Sequence, residues 1–188
     1  MKNKKLILIG ASTGGPGHLE KILSSLDKHF SSTVIIAQHL DSIFLQSMVK
    51  HFNDITQTDV IQAQENIPIH HPSTVFAYKN LTDLHFHPSK GLILRKCTQP
   101  SHYQPSINSL FHSTAKLHAH YDILACLLTG IGDDGAEGML ALKNSGARCI
   151  CESEASCIVY GMPKVASEIS ACTAVLSLDE IIQEIKNF

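Results

Sequence analysis

The chain has 188 residues, a formal net charge of -2 and 17% charged side chains. That length suits one domain, read here as 1–188, burying about 70% of its unfolded surface. The charge supplies no field for nucleic acid, and the only basic run, Lys2, Lys4 and Lys5, reads as a solvated end. No run of some 18 apolar residues and no secretory h-region follows Met1, so no membrane insertion and a cytoplasmic location are expected. The six cysteines are then expected to stay reduced. They form no CxxC pair and read as core packing.

The first element is short and aliphatic, Leu6 to Ile9, and stops at Gly10. It reads as a buried parallel strand. Gly10, Gly14 and Gly15 then allow a sharp turn, and Leu19, Ile22, Leu23 and Leu26 repeat at helical period. Ser12 therefore falls between a strand end and a helix start. Such a turn lifts a nucleophilic hydroxyl out of a sheet beside the orphan amides of the helix, which favour developing negative charge. A phosphate or dinucleotide cradle and a plain turn fit this stretch as well.

Thr33 to Gln38 is a second β-branched run, which makes a βαβ unit with the first. Ile43, Phe44, Met48, Val49 and Phe52 mark a helix, and Asp59 to Ala63 a third strand. Three brief apolar runs follow, Val75 to Ala77, Leu84 to Phe86 and Leu92 to Leu94. They are expected to form hairpins or a small antiparallel excursion. Thr98 to Pro105 reads as a loop, and Ile107, Leu110, Phe111, Thr114 and Leu117 restore helical period. Ile123 to Leu128 is the most apolar strand and should be central. It ends in a glycine-bracketed loop carrying Asp133 and Asp134, one of which is expected to cap the helix through Met139, Leu140 and Leu142. Cys149 to Cys151 continues as strand, Pro163 suits a first helical turn, and Val175-Leu176 is a last strand. Ser177 with Glu180 forms a capping box for the terminal helix. The alternation predicts an α/β domain, three layers (α/β/α) around a mainly parallel, doubly wound sheet.

Twelve histidines are an unusual number. His85 and His87 share a strand face, as would His118 and His120 if extended. No cysteine or glutamate cluster stands at ligand spacing, so no metal and no cofactor are assigned.

In an open parallel sheet, sites form at the carboxyl ends of strands near the point where strand order reverses. The first strand delivers Ser12, the second Gln38 and His39, and the long apolar strand Asp133 and Asp134. A hydroxyl, an imidazole and a carboxylate are the groups acyl transfer needs: a nucleophile, a base, and an anion that orients the base. The α/β-hydrolase order of serine, acid, histidine does not fit, because no histidine follows His120. A nicotinamide-dependent reductase is the rival enzyme, from Gly10 and Gly14 after a first strand, Asp41 after the second, and Tyr160 with Lys164. Pro163 between that pair and Pro16 in the glycine loop oppose it. A binding module without chemistry is the third reading.

Four segments, IGASTGGP (9–16), VIIAQH (34–39), LLTGIGDDGAEGMLALKNSGA (127–147) and ESEASCIVYGMPKVA (152–166), resemble the catalytic domain of the CheB chemotaxis protein-glutamate methylesterases. The resemblance implies Ser12 as nucleophile, His39 as base and Asp134 as orienting acid, with Thr13 and Ile131 at the oxyanion site. It also implies hydrolysis of glutamate γ-methyl esters, and deamidation of certain glutamines, on the cytoplasmic helical domains of methyl-accepting chemotaxis receptors, by a monomer. Gln104 to Asn108 stands where that family usually has Arg-Pro-Ser-Val-Asp, and Tyr78 to Asn80 where it has Pro-Gly-Gly; both bear on substrate contacts at the cleft edge. Family members carry an amino-terminal phospho-receiver domain. This chain starts at the first catalytic strand, so that domain is expected to have been removed or to be naturally absent.

Overall fold

A computed structural model describes residues 4–188; Lys2 of the basic run lies outside them. Leu6, Ile7, Leu8 and Ile9 are all wholly buried, and successive side chains of a strand point to opposite faces. Leu6 and Leu8 accordingly enter one apolar cluster, and Ile7 and Ile9 another. Both faces of the sheet are therefore covered, which is the setting that favours parallel strands. Each fully buried aliphatic side chain contributes about 1.5–3 kcal/mol relative to an exposed one.

The elements in chain order are β1 (Lys4–Ala11), α1 (Gly15–Ser24), β2 (Thr33–Gln38), α2 (Ser42–Ile55), β3 (Val60–Gln62), β4 (Thr74–Phe76), β5 (Leu81–His87) and β6 (Gly91–Lys96). Then come α3 (Ile107–Ala115), β7 (Tyr121–Leu127), α4 (Ala136–Asn144), β8 (Arg148–Glu152), α5 (Met162–Glu168), β9 (Ala174–Leu176) and α6 (Leu178–Asn187). Seven strands form one sheet in the order β3-β4-β2-β1-β7-β8-β9, every pair parallel. Helices α1, α2 and α6 supply Leu19, Phe52 and Ile181 to one cluster. Helices α3, α4 and α5 supply Phe111, Met139 and Ala166 to the other. The predicted three-layer, mainly parallel architecture holds, and Ser177 and Glu180 make their capping box at α6. Among the described residues no helix is long and apolar enough to cross a membrane.

Two expectations need correction. Val75 belongs to β4, a parallel strand of the main sheet between β3 and β2, and not to the antiparallel excursion. The connection from β3 to β4 carries no helix; instead Pro68 bridges to Ile93 of the hairpin. The excursion is the β5–β6 hairpin alone, seated on α3 through the Leu84 amide, which donates to Ser113 Oγ at 2.9 Å. Cys151 and Cys172 are joined as a disulfide with Cα atoms 5.8 Å apart, against the expectation of six free thiols. They stand 21 positions apart in the sequence, and α5 folds back to bring Cys172 beside β8. Cys126 and Cys149 are free and buried, and desolvation pushes both thiols up, Cys149 to about 12. They are consequently poor nucleophiles.

Candidate active site

Chain order reverses between β1 and β7, with β2 and β4 on one side and β8 and β9 on the other. Ser12 leaves β1 at this switch point. The register pairs Ala11 with Gln38, so the next residues outward, Ser12 and His39, stand at the ends of neighbouring strands. The His39 amide donates to Ala11 O at 2.9 Å, and the Gln38 side-chain amide donates to Ser12 O and to His39 O, both at 2.9 Å. One buried glutamine thus ties both strand ends together.

The turn after Ser12 is short because Gly14 is its left-handed pivot, with φ of +84°, and caps α1. Ile158 packs over Gly14, within 2.7 Å of where a side chain would begin. That leaves no open cradle for a pyrophosphate at this point.

On the third strand end, Asp134 is 1% exposed and fully engaged. Its Oδ2 accepts from His39 Nε2 at 2.8 Å and from the Ile107 amide at 2.7 Å; Oδ1 accepts from the Asn108 amide at 2.9 Å and the Ser106 hydroxyl at 3.4 Å. The carboxylate lies on the first turn of α3, where free amides and the helix dipole favour negative charge. The expectation that Asp133 or Asp134 caps the following helix is therefore wrong: the N-cap of α4 is Gly135, with no side-chain bond. Capping is instead exchanged between two helices. Asp134 holds the start of α3, while Asn108 of α3 accepts from the Gly138 amide of α4 at 2.8 Å. The segment expected to touch substrate, Gln104 to Asn108, is divided by this arrangement. Ser106, Ile107 and Asn108 hold Asp134, whereas Gln104 lines a cleft with Gln38, Tyr78 and Lys79.

With Nε2 bound to Asp134, the ring nitrogen of His39 that Asp134 does not engage is Nδ1. Tyr103 stacks on this ring, centroids 4.9 Å apart and planes 5° apart, and its hydroxyl reaches Asp133 Oδ1 at 3.4 Å. Tyr103 sits in a proline-flanked loop without periodicity, and no sequence signal singles it out. Thr13 and Ile131 are both exposed, Ile131 with 63% of its surface. Among the described residues neither of their amides is bonded to a protein acceptor. Gly130, just before Ile131, must lack a side chain, since a Cβ there would lie 2.6 Å from Ser12 Cβ and 2.7 Å from Met162 Cε.

Other constellations do not assemble. Tyr160 precedes α5, whose first turn holds Pro163, so it shares no helical face with Lys164. His118 and His120 lie in turns and not on a strand, and His120 stacks near Phe86. Among the described residues no group of three or more histidine, cysteine or acidic side chains gathers where a metal ion could be held. A buried pair that sequence reasoning missed lies beneath the site: His18 Nδ1 is 3.3 Å from Glu152 Oε2. Its one sequence signal is a histidine on the same α1 face as Ile22.

Residues 7–185 match the family model described as CheB methylesterase. The chain belongs to the CheB methylesterase family. It is 36% identical, over 98% of its own length and 53% of the relative's, to protein-glutamate methylesterase/protein-glutamine glutaminase 3 of Leptospira interrogans. The corresponding Salmonella typhimurium protein is 34% identical at the same coverage. The crystal structure of the Thermotoga maritima CheB methylesterase catalytic domain superposes with a TM-score of 0.88 over 98% of both chains, at 26% identity. The chain spans about half the length of the curated relatives it matches.

Proposed function

We propose that this chain is the catalytic domain of a protein-glutamate methylesterase, using Ser12, His39 and Asp134 to hydrolyse glutamate γ-methyl esters on the cytoplasmic helical domains of methyl-accepting chemotaxis receptors. The observation that carries the reading is the 2.8 Å bond from His39 Nε2 to a buried Asp134, at the strand end beside Ser12. The names of the relatives supply the bond cleaved, a methyl ester of protein glutamate, and the resemblance to the chemotaxis family supplies the receptors that carry it.

In this mechanism Nδ1 of His39 takes the Ser12 proton as Oγ attacks the ester carbonyl. The oxyanion falls to the amides of Thr13 and Ile131 and to the amino end of α1. The imidazolium, stabilised by Asp134, returns its proton to the departing methoxide, and methanol leaves. A water molecule then gives its proton to Nδ1 and attacks the acyl-enzyme, which releases glutamate and restores Ser12. A glutamine side chain follows the same course with ammonia as the leaving group, which matches the second activity in the relatives' names. No step requires a cofactor, and the reaction takes place in the cytoplasm.

The test is methanol release from receptor membranes carrying radiolabelled methyl esters, with mass spectrometry of the receptor afterwards. The reading expects labelled methanol, and glutamate at the formerly methylated positions. Methyl esters that persist through extended incubation would refute it.

A further inference from the structure

Glu152 is wholly buried at the carboxyl end of β8. It is not a member of the proposed triad, yet through Thr129 its bonds reach the turn that carries Ser12. Oε2 accepts from the Thr129 amide at 2.9 Å and lies 3.3 Å from His18 Nδ1, and Oε1 accepts from the Ser156 hydroxyl at 2.9 Å. Thr129 passes this constraint on through its other polar atoms. Its carbonyl accepts the Ser12 amide at 3.0 Å, and its hydroxyl donates to Thr13 O at 2.9 Å and accepts from the Val159 amide at 2.8 Å. Val159 O in turn accepts from the Gly130 amide at 3.0 Å, and Gly130 leads into Ile131. A single carboxylate therefore underlies both amides assigned to the oxyanion and the serine between them.

A buried charge is costly unless it is paired and hydrogen-bonded. Here the partners come from α1, from the loop after β7 and from the turn after β8, three separate pieces of the rim. An acceptor that serves only packing has no need of such partners, and an apolar side chain would fill the volume more cheaply. We propose that Glu152 is a positioning residue for the esterase reaction, holding Thr129 so that Thr129 holds Ser12 and Thr13 in attack geometry. This inference rests on the serine-hydrolase reading above.

The prediction is a specific kinetic pattern. Replacing the carboxylate by an apolar group of similar size leaves the Thr129 amide without an acceptor, and the Ser12–Thr13 turn drifts. Misplacement by about 1 Å is enough to lower turnover on the order of 10²-fold. The side chain does not touch substrate, so KM should hold. An amide at this position still offers an oxygen to Thr129 and a donor to Ser156.

The experiment measures methanol release against methylated-receptor concentration for the parent chain and for Glu152→Met, Glu152→Gln, Thr129→Val and Ser12→Ala, each checked for folding by circular dichroism. Expected are a fall in kcat of at least about tenfold for Glu152→Met with KM within about twofold, and recovery to within about threefold of the parent in Glu152→Gln. A folded Glu152→Met enzyme with parental kcat, beside an inactive Ser12→Ala, would overturn the inference and leave the hydrolase reading standing. An active Ser12→Ala enzyme would overturn both. If Glu152→Met does not fold, Thr129→Val decides, because it cuts the hydroxyl link to Thr13 and leaves Glu152 in place. A fall of about tenfold in kcat at constant KM supports the inference, and parental kcat overturns it.

Discussion

Tyr103 lies flat against His39, the two rings 4.9 Å apart and 5° from parallel. The stack covers one face of the imidazole and adds a second restraint to the one Asp134 supplies at the ring edge. Aromatic pairs of this kind contribute about 0.5–1.5 kcal/mol beyond area burial. Tyr103→Ala should lower kcat roughly threefold to tenfold, the kinetic equivalent of that energy. Tyr103→Phe keeps the stack and loses only the 3.4 Å contact with Asp133, so it should stay close to the parent. Steady-state kinetics of the two variants checks this.

Asp134→Asn is expected to injure stability and activity together. Both carboxylate oxygens accept from α3 amides, Oδ2 from Ile107 and Oδ1 from Asn108. Whichever way a carboxamide is turned, its NH2 faces one of those N–H groups. A buried donor left in that state costs about 1–3 kcal/mol. Loss of the anion behind the histidine should lower kcat by on the order of 10³–10⁴. Urea unfolding and turnover of the same sample test the two halves.

Much of this architecture could be read from sequence, and the misses share a cause. Strands β1, β2 and β7 are apolar runs that end at glycine or polar turns, so their limits and their delivery of Ser12, His39 and Asp134 to strand ends followed from local pattern. Val75 lay in a three-residue strand, too short to show which sheet it joins. The cap that Asp134 provides reaches back 27 residues to Ile107, and the Cys151–Cys172 bridge spans 21. Such partners are set by how helices fold over the sheet, and no local spacing encodes them. Tyr103 and Glu152 were missed for the same reason.

Gly130→Ala should inactivate the protein with little loss of substrate binding. The added methyl would sit 2.6 Å from Ser12 Cβ and 2.7 Å from Met162 Cε. The methionine end can swing away, but Ser12 is fixed by backbone bonds on both sides, so the turn itself must shift. A fall in kcat of at least about tenfold is expected. Parental turnover in the alanine variant would show that the rim has more slack than these contacts allow.

Glu152 should also mark the acid side of stability. Burial alone pushes its carboxyl up, but the His18 ring 3.3 Å away and hydrogen bonds from the Thr129 amide and the Ser156 hydroxyl outweigh burial and hold it below the usual value of 4.5. A carboxyl lowered on folding contributes stability that is present above its ordinary value and is lost as pH falls through the lowered one. Unfolding free energy should therefore drop below about pH 4.5, and the drop should be shallower in Glu152→Gln, which has no proton to gain. Denaturant titrations of both proteins between neutral and acid pH measure the difference; parallel curves would rule out this carboxyl as a source of the drop.

If the Ser12 hydroxyl forms the acyl-enzyme, methanol release from the same methylated receptors should separate Ser12→Ala sharply from the parent. The substitution removes one oxygen from a half-buried turn, so the fold should persist. Turnover should fall by on the order of 10³-fold or more. Demethylation by the alanine variant within tenfold of the parent would contradict the account.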